Sequence, residues 1–182
     1  SFAIGALSGM AVGLLFATQP FVEKLLDPFV TALNAMPRIA LAPLFIIWFG
    51  LGVGSKIALG VSLTFFVVLA ATTAGVKSVN PDHLTLARTL GASSTQIFRT
   101  FVLPNAVPVV FSGLRLGLVV SLLGVVGGEV IAAEHGLGQT LSVLAASFRT
   151  SGVFALILLL AFIGVLITWL MDAIESHLLR WR

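Results

Sequence analysis

The sequence predicts an all-α fold, a polytopic membrane helical bundle with about five spanning helices. Of its 182 residues, 58% are hydrophobic and only 9% are charged, whereas soluble domains carry about a quarter charged residues. Mean hydropathy is +1.13. The run over residues 57–76 holds no charge and is long enough to cross the hydrocarbon core as a helix. We therefore expect one transmembrane domain over residues 1–182.

Five apolar segments account for the predicted spans. They cover about residues 1–17, 39–55, 57–76, 104–128 and 150–171. The first carries Gly5, Gly9 and Gly13, four residues apart, a spacing that favours close helix packing. Because the chain starts at Ser1 inside an uncharged run, we expect that further residues, with one more span, precede this numbering.

Short connections separate the first spans. We expect a polar connection over residues 18–27 and an interfacial helical entry over residues 28–36. A proline followed by Arg38 then marks the edge of the second span, since charged residues avoid the hydrocarbon core.

Residues 81–104 are the longest stretch that does not resemble a membrane span. Asn80 is a helix cap with a proline after it, and Gly91 is suited to a left-handed C-terminal cap. Ser93 and Gln96 have the spacing of a capping box. The pattern predicts two short helices with a bend between them, which is a docking surface rather than an enzyme active site.

The distribution of basic residues predicts the orientation. If the loop at 81–104 is cytoplasmic, the inner side holds most of the cations: Lys24, Arg38, Lys77, Arg88, Arg99, Arg180 and Arg182. The outer side then holds only Lys56 and Arg149. Because lysine and arginine favour the cytoplasmic side, we expect the loop and the C-terminus to be cytoplasmic.

Several classes of chemistry have no support in the sequence. The three histidines, His83, His135 and His177, lie on separate segments, and cysteine is absent, so no metal site is predicted. No Walker motif occurs, and no cofactor is expected on this chain. The basic residues form no patch, so nucleic acid is not an expected partner; the surroundings are a lipid bilayer.

Three polar residues of the fourth span are candidates for a translocation path: Arg115, Ser121 and Glu129. Arg115 lies inside the span, where a charge is costly unless it faces protein or water. It either reaches back to the inner surface, or attracts an anionic substrate, or pairs across a subunit interface. Glycines four residues apart along this span fit close packing or the wall of a pore.

The segment from Gly91 to Pro104 resembles a known signature. Permease subunits of ABC importers carry the cytoplasmic pattern E-A-A, three residues, Gly, nine residues, Ile, one residue, Leu-Pro. Here Ala87, Gly91 and the final Leu-Pro match it, and Phe101 stands at the position of the isoleucine. Thr85 replaces the glutamate, and a leucine replaces the first alanine.

Flanking stretches extend the resemblance over about residues 30–182. They read A-P-L-F-I-I-W-F-G-L-G, G-L-R-L-G-L and G-E-V-I-A-A-E-H-G-L-G. They are similar to the branch of bacterial permeases for nitrate, sulfonates, taurine and pyrimidine precursors. The implied fold is the type I ABC importer transmembrane domain, and the implied location is the bacterial inner membrane.

The resemblance also implies partners and a coupling site. Residues 82–92 would form a coupling helix seated on a cytoplasmic ABC ATPase, one of two that bind ATP and Mg. A second permease subunit, in a homodimer, would complete the path, and an extracytoplasmic binding protein would deliver a small anion or a pyrimidine precursor. The coupling residues are Asp82, Leu84, Thr85, Ala87, Arg88, Leu90, Gly91 and Ala92.

Other classes remain open at this point. A secondary transporter or channel would need no ATPase, and more spans or broken helices near mid-membrane would be typical of it. A membrane-embedded enzyme would need a catalytic pair at one depth, and a receptor or assembly subunit would transport nothing. Association with an ATPase and transport in vesicles discriminate among them.

Overall fold

Helices make up nearly all of the structure, a computed structural model that describes the backbone of residues 1–178 and the side chains of residues 1–176. No strand occurs in this part of the chain. The helices are α1 (Phe2–Thr18), α2 (Pro20–Ala35), α3 (Ala42–Phe49), α4 (Val53–Lys77), α5 (Pro81–Thr89), α6 (Ser94–Ile97), α7 (Leu103–Ile131), α8 (Leu137–Ala146) and α9 (Thr150–Leu178). A 3₁₀ turn, Arg38–Leu41, joins α2 to α3, and a π turn, Phe98–Val102, joins α6 to α7.

α4 lies at the centre, between α1 and α7. The glycine ladder of α1 packs on α4 in parallel register: a Cβ on Gly5 would lie 2.8 Å from the Cβ of Thr64, and one on Gly9 only 2.6 Å from the carbonyl oxygen of Phe65. Side chains larger than hydrogen do not fit between these backbones. The predicted packing face of the first span is confirmed.

α7 packs on the opposite side of α4 and runs antiparallel to it. A Cβ on Gly75, near the end of α4, would meet the carbonyl oxygen of Ala106 at 3.0 Å, near the start of α7. Halfway along, the fully buried Thr64 hydroxyl donates to the carbonyls of Gly60 (2.9 Å) and Gly117 (3.1 Å). Both bonds satisfy the hydroxyl in an apolar bundle, and the bond to Gly117 fixes the register of α4 and α7.

The predicted bundle is confirmed, although its spans differ in form. Three helices of the described chain are long and apolar enough to cross a membrane: Val53–Lys77, Ser94–Ile131 and Thr150–Ser176. The first predicted span is a shorter apolar helix of 17 residues, α1. Glu23 at the start of α2 pairs with Lys77 at the end of α4 (2.5 Å), so α2 begins at the end of the bundle where α4 finishes.

The boundaries of the second predicted span, residues 39–55, are wrong. Residues 18–27 are not a polar connection, because α2 begins at Pro20 and continues to Ala35. The chain then bends by 84° into the segment Arg38–Phe49. Glu23 pairs with Lys77 at the end of α4, and Phe49 lies against Gly54 at its start, so the two parts together follow α4 from end to end as one broken span. The backbone at the bend is extended, with ψ of 134° at Met36 and 97° at Pro37.

Arg38 does not mark a membrane edge, as the sequence predicted, but lies within the bundle. Its guanidinium Nη1 donates to the carbonyl of Ser62 at 2.8 Å, and Ser62 is about 14 Å along α4 from that helix's first residue. Arg38 is therefore not one of the cations at the inner surface. Arg180 and Arg182 lie outside the described residues, and the orientation stays a prediction.

The close contact of α1 with α4 gives a first testable prediction. Gly9→Ala places a methyl group against a backbone carbonyl that cannot move aside, so the variant should lose about 1–3 kcal/mol of stability from overpacking. A lower midpoint of thermal unfolding in detergent would show it.

Gly164→Ala is the matched control, because nothing lies within 4 Å of a Cβ at Gly164 in α9. Alanine is the better helix former by about 1 kcal/mol, so this variant should be as stable as the wild type or more so. Equal midpoints for the two variants would contradict the packing described for α1.

Candidate functional site

The loop at 81–104 folds as its sequence predicts. The Asn80 side chain accepts a hydrogen bond from the backbone N–H of Asp82 at 2.9 Å, which caps the start of α5. At the other end Gly91 has φ of +81°. The N–H of Ala92 donates to the carbonyl of Ala87 at 3.0 Å, the long bond of a Schellman motif. α5 is thus capped at both ends by local contacts.

The second predicted short helix begins at Ser94, as expected, but it does not end before the membrane span. Ser93 and Gln96 form the capping box, with hydrogen bonds of 3.3 and 2.8 Å. From Ser94 the chain stays helical to Ile131. The π turn at Phe98–Val102 absorbs the disturbance of the following proline, which has no N–H to donate. α5 therefore adjoins a helix that traverses the whole bundle.

Burial divides the predicted coupling residues into two groups. Ala87 is buried against this chain, and Leu84 and Ala92 are half-buried. The others are exposed: Asp82, Thr85, Arg88, Leu90 and Gly91. Their contact with an ATPase stays a prediction.

Leu86 is not among the predicted coupling residues, although its position resembles that of Leu90. The two residues are 60% and 78% exposed, and four residues apart they lie on the same helix face. Together they form the apolar surface of α5. The four-residue spacing was the signal that would have found Leu86.

Arg115 has partners within its own chain. Its Nη2 lies 2.5 Å from a carboxylate oxygen of Asp172 and 2.5 Å from one of Glu175, both near the end of α9. Two carboxylates thus already neutralise this guanidinium, and the cluster joins α7 to α9. The role of Arg115 in a path stays a prediction.

Ser121 and Glu129 also contact this chain. Ser121 is buried, and its hydroxyl lies 2.9 Å from that of Ser1, at the contact of α7 with α1. Glu129 accepts a hydrogen bond from the N–H of Gly138 at 2.9 Å, and so caps the first turn of α8. The structure does not bring Arg115, Ser121 and Glu129 together, and it leaves their assignment to a path as a prediction.

The described residues contain no group of three or more histidine, aspartate and glutamate side chains placed to hold a metal ion.

A family model matches almost the entire chain. It describes the binding-protein-dependent transport system inner membrane component, and it covers residues 6–180. The chain belongs to this family. It is therefore a transport permease and a multi-pass membrane protein.

Curated permeases are similar over most of this permease. ThiX of Halalkalibacterium halodurans, a formylaminopyrimidine transport permease protein, is 35% identical over 99% of this chain and 72% of its own length. TauC of Escherichia coli, a taurine transport system permease protein, is 37% identical over 97% of this chain and 64% of its own. SsuC of Bacillus subtilis, a putative aliphatic sulfonates transport permease protein, is 34% identical over the whole chain and 66% of its own length.

Solved structures identify the fold of the permease. The MetNI methionine ABC transporter in an inward-facing conformation matches with a TM-score of 0.77 at 20% identity, over 97% of this chain and 88% of the other. An amino acid ABC transporter matches with a TM-score of 0.69 at 16% identity, over 100% of this chain and 88% of the other. The type I ABC importer fold predicted from the sequence is confirmed.

The Arg115 cluster gives a second prediction. Arg115→Gln should lower the midpoint of thermal unfolding, because Asp172 and Glu175 would then repel each other without a cation between them. The triple variant Arg115→Gln, Asp172→Asn, Glu175→Gln should recover part of the loss. A triple variant less stable than the single one would contradict the ion-pair account.

Proposed function

We propose that this permease is the membrane subunit of an ATP-driven importer, and that α5 is the element through which a cytoplasmic ATPase moves it. The observation that carries the proposal is the form of α5 (Pro81–Thr89). It is capped at both ends, exposes two leucines, and adjoins the continuous helix Ser94–Ile131.

Each property of α5 serves docking. Exposed leucines cost free energy in water unless a partner covers them. The caps keep both ends of α5 helical, so a displacement of α5 by the ATPase moves the whole helix. Alternating access in transporters is largely rigid-body movement of helix groups, and such movement needs a firm connection between the docked element and the spans.

The remaining partners follow from the family relationship. We infer two copies of this permease around one path, two ATPase subunits that bind ATP and Mg, and an extracytoplasmic binding protein. The named relatives transport formylaminopyrimidine, taurine or, putatively, aliphatic sulfonates. A small anion of the sulfonate type is the substrate we propose, with a pyrimidine precursor as the second candidate.

Leu90→Asp tests the docking role. A carboxylate in an apolar contact is desolvated without a partner, so the variant should lose most of the ATPase that co-purifies with the wild type, together with transport-coupled hydrolysis. Both are measured on the permease purified in detergent from host membranes.

Two controls accompany this variant. Leu90→Met keeps an apolar side chain and should retain the ATPase, while Thr95→Asp places the same charge on the exposed first turn of α6 and should also retain it. If Leu90→Asp co-purifies with the ATPase as well as the wild type does, the docking role is lost.

The orientation has its own test, which uses the absence of cysteine from residues 1–182. An impermeant maleimide added outside intact spheroplasts should label His135→Cys but not Asp82→Cys, and inverted vesicles should give the opposite result. Both native side chains are exposed. Labelling of Asp82→Cys from the outside would reverse the orientation and exclude ATPase docking on α5.

A further inference from the structure

We propose that Arg38 is the anion-binding residue of the translocation path, and that it recognises the charged end of a small amphipathic anion such as an alkylsulfonate or a short carboxylate. The inference rests on the proposed transport function, and it names the residue and the ligand chemistry.

Arg38 is a buried cation without a counter-charge. The residue is 8% exposed, and no carboxylate of the described residues lies within 4 Å of it. Burial of an uncompensated charge costs several kcal/mol, and charges at membrane depth typically mark substrate or ion pathways. Packing alone therefore does not explain why a charged side chain is buried at this position.

The bonds that hold Arg38 leave part of its guanidinium free. Nη1 donates to the carbonyl of Ser62 (2.8 Å), and Nη2 donates to Asn34 Oδ1 (2.7 Å) and the carbonyl of Leu33 (3.4 Å). The Phe66 ring lies 3.9 Å from Cζ and stabilises the charge through a cation–π contact. Of five N–H donors, two remain for an anion, and the positive charge is oriented but not neutralised.

A cavity adjoins this side chain. Its volume is about 370 Å³, within the range of small-molecule sites. The lining combines Arg38 and Asn34 with apolar side chains of the bend itself, of α4 and of α7: Met36, Ile39, Leu63, Val67 and Val120. One charged end and an apolar wall are complementary to an anion that carries a short hydrocarbon part.

The backbone around the cavity has the form expected of a transport site. Met36 and Pro37 are extended at the 84° bend of the broken span. Non-helical backbone at membrane depth is tolerated only inside protein or along a watery cavity, and transporters place substrates at such breaks near mid-membrane. Ser62, which holds Arg38, is about 14 Å from one end of α4 and farther from the other, too deep for a lipid headgroup.

Other cations of this chain are compensated differently. Arg115 has two carboxylates and Lys77 has Glu23. Lys56 is also buried, but it donates to the carbonyls of Leu51 (2.5 Å) and Gly52 (3.0 Å) near the start of α4, and it does not line the Arg38 cavity. Lys56 thus supplies a matched control: a buried cation held by carbonyls, away from the proposed site.

The test is anion binding by the full-length permease, purified with the subunits that accompany it and placed in nanodiscs. Thermal unfolding is followed during titration with ethanesulfonate, butyrate or nitrate, and with uncharged ethanesulfonamide. At least one anion should raise the midpoint of the wild type, and ethanesulfonamide should not. In Arg38→Gln the apparent Kd for that anion should be at least about tenfold weaker.

Control variants separate binding from folding. Lys56→Gln should keep the wild-type Kd even if its own midpoint falls. Val120 lines the cavity but is not a hydrogen-bond partner of Arg38, so Val120→Trp is expected to fill the cavity and abolish the anion effect. This variant carries the test if Arg38→Gln does not fold.

Two results overturn the inference: a wild type that responds to none of the anions, or an anion effect that Arg38→Gln and Val120→Trp leave unchanged. ATPase co-purification is scored on the same preparations. Anion binding that depends on Arg38 in a permease without an ATPase contradicts the proposed function alone, whereas an ATPase-bound permease without such binding contradicts this inference alone.

Discussion

Close contact between helix backbones is the interaction on which the rest of this permease depends. In a bilayer the hydrophobic effect does not draw one apolar helix to another, so association depends on van der Waals packing and a few interhelical hydrogen bonds. α4 meets this requirement on two sides, with glycines of α1 against it in one direction and glycines of α7 in the other. The fixed register of α4 and α7 sets the position of the loop at 81–104, which leaves one helix and enters the other.

Local features of this loop were predictable from the sequence, and non-local ones were not. Asn80, Gly91, Ser93 and Gln96 act on residues within a few positions of themselves, so their spacing alone predicts the caps. The exposed face of α5 depends on which side the rest of the chain covers. The predicted coupling residues therefore include Leu84, which is half-buried, and lack Leu86, which is exposed.

The broken span shows the limit of hydropathy. A window of apolar residues indicates that a segment enters the membrane, but it contains no information on a bend within the segment. Arg38 was assigned to a membrane edge because charges avoid the hydrocarbon core. The assignment failed because the carbonyl of Ser62 and the ring of Phe66, which only the fold brings near, join the neighbouring carbonyl of Leu33 in stabilising the guanidinium inside the bundle. The two contacts from α4 could not be predicted from the sequence around Arg38.

The helix from Ser94 to Ile131 has a mechanical consequence. At 38 residues it is about 57 Å long, nearly twice the thickness of the hydrocarbon core, which is about 30 Å. A tilt of about 10° around one end would displace the other end by about 10 Å, more than one helical turn. A small rotation of the end beside α5 would therefore become a large displacement at the opposite end of this helix. This displacement requires no hinge inside the helix, because it grows in proportion to the length of the helix.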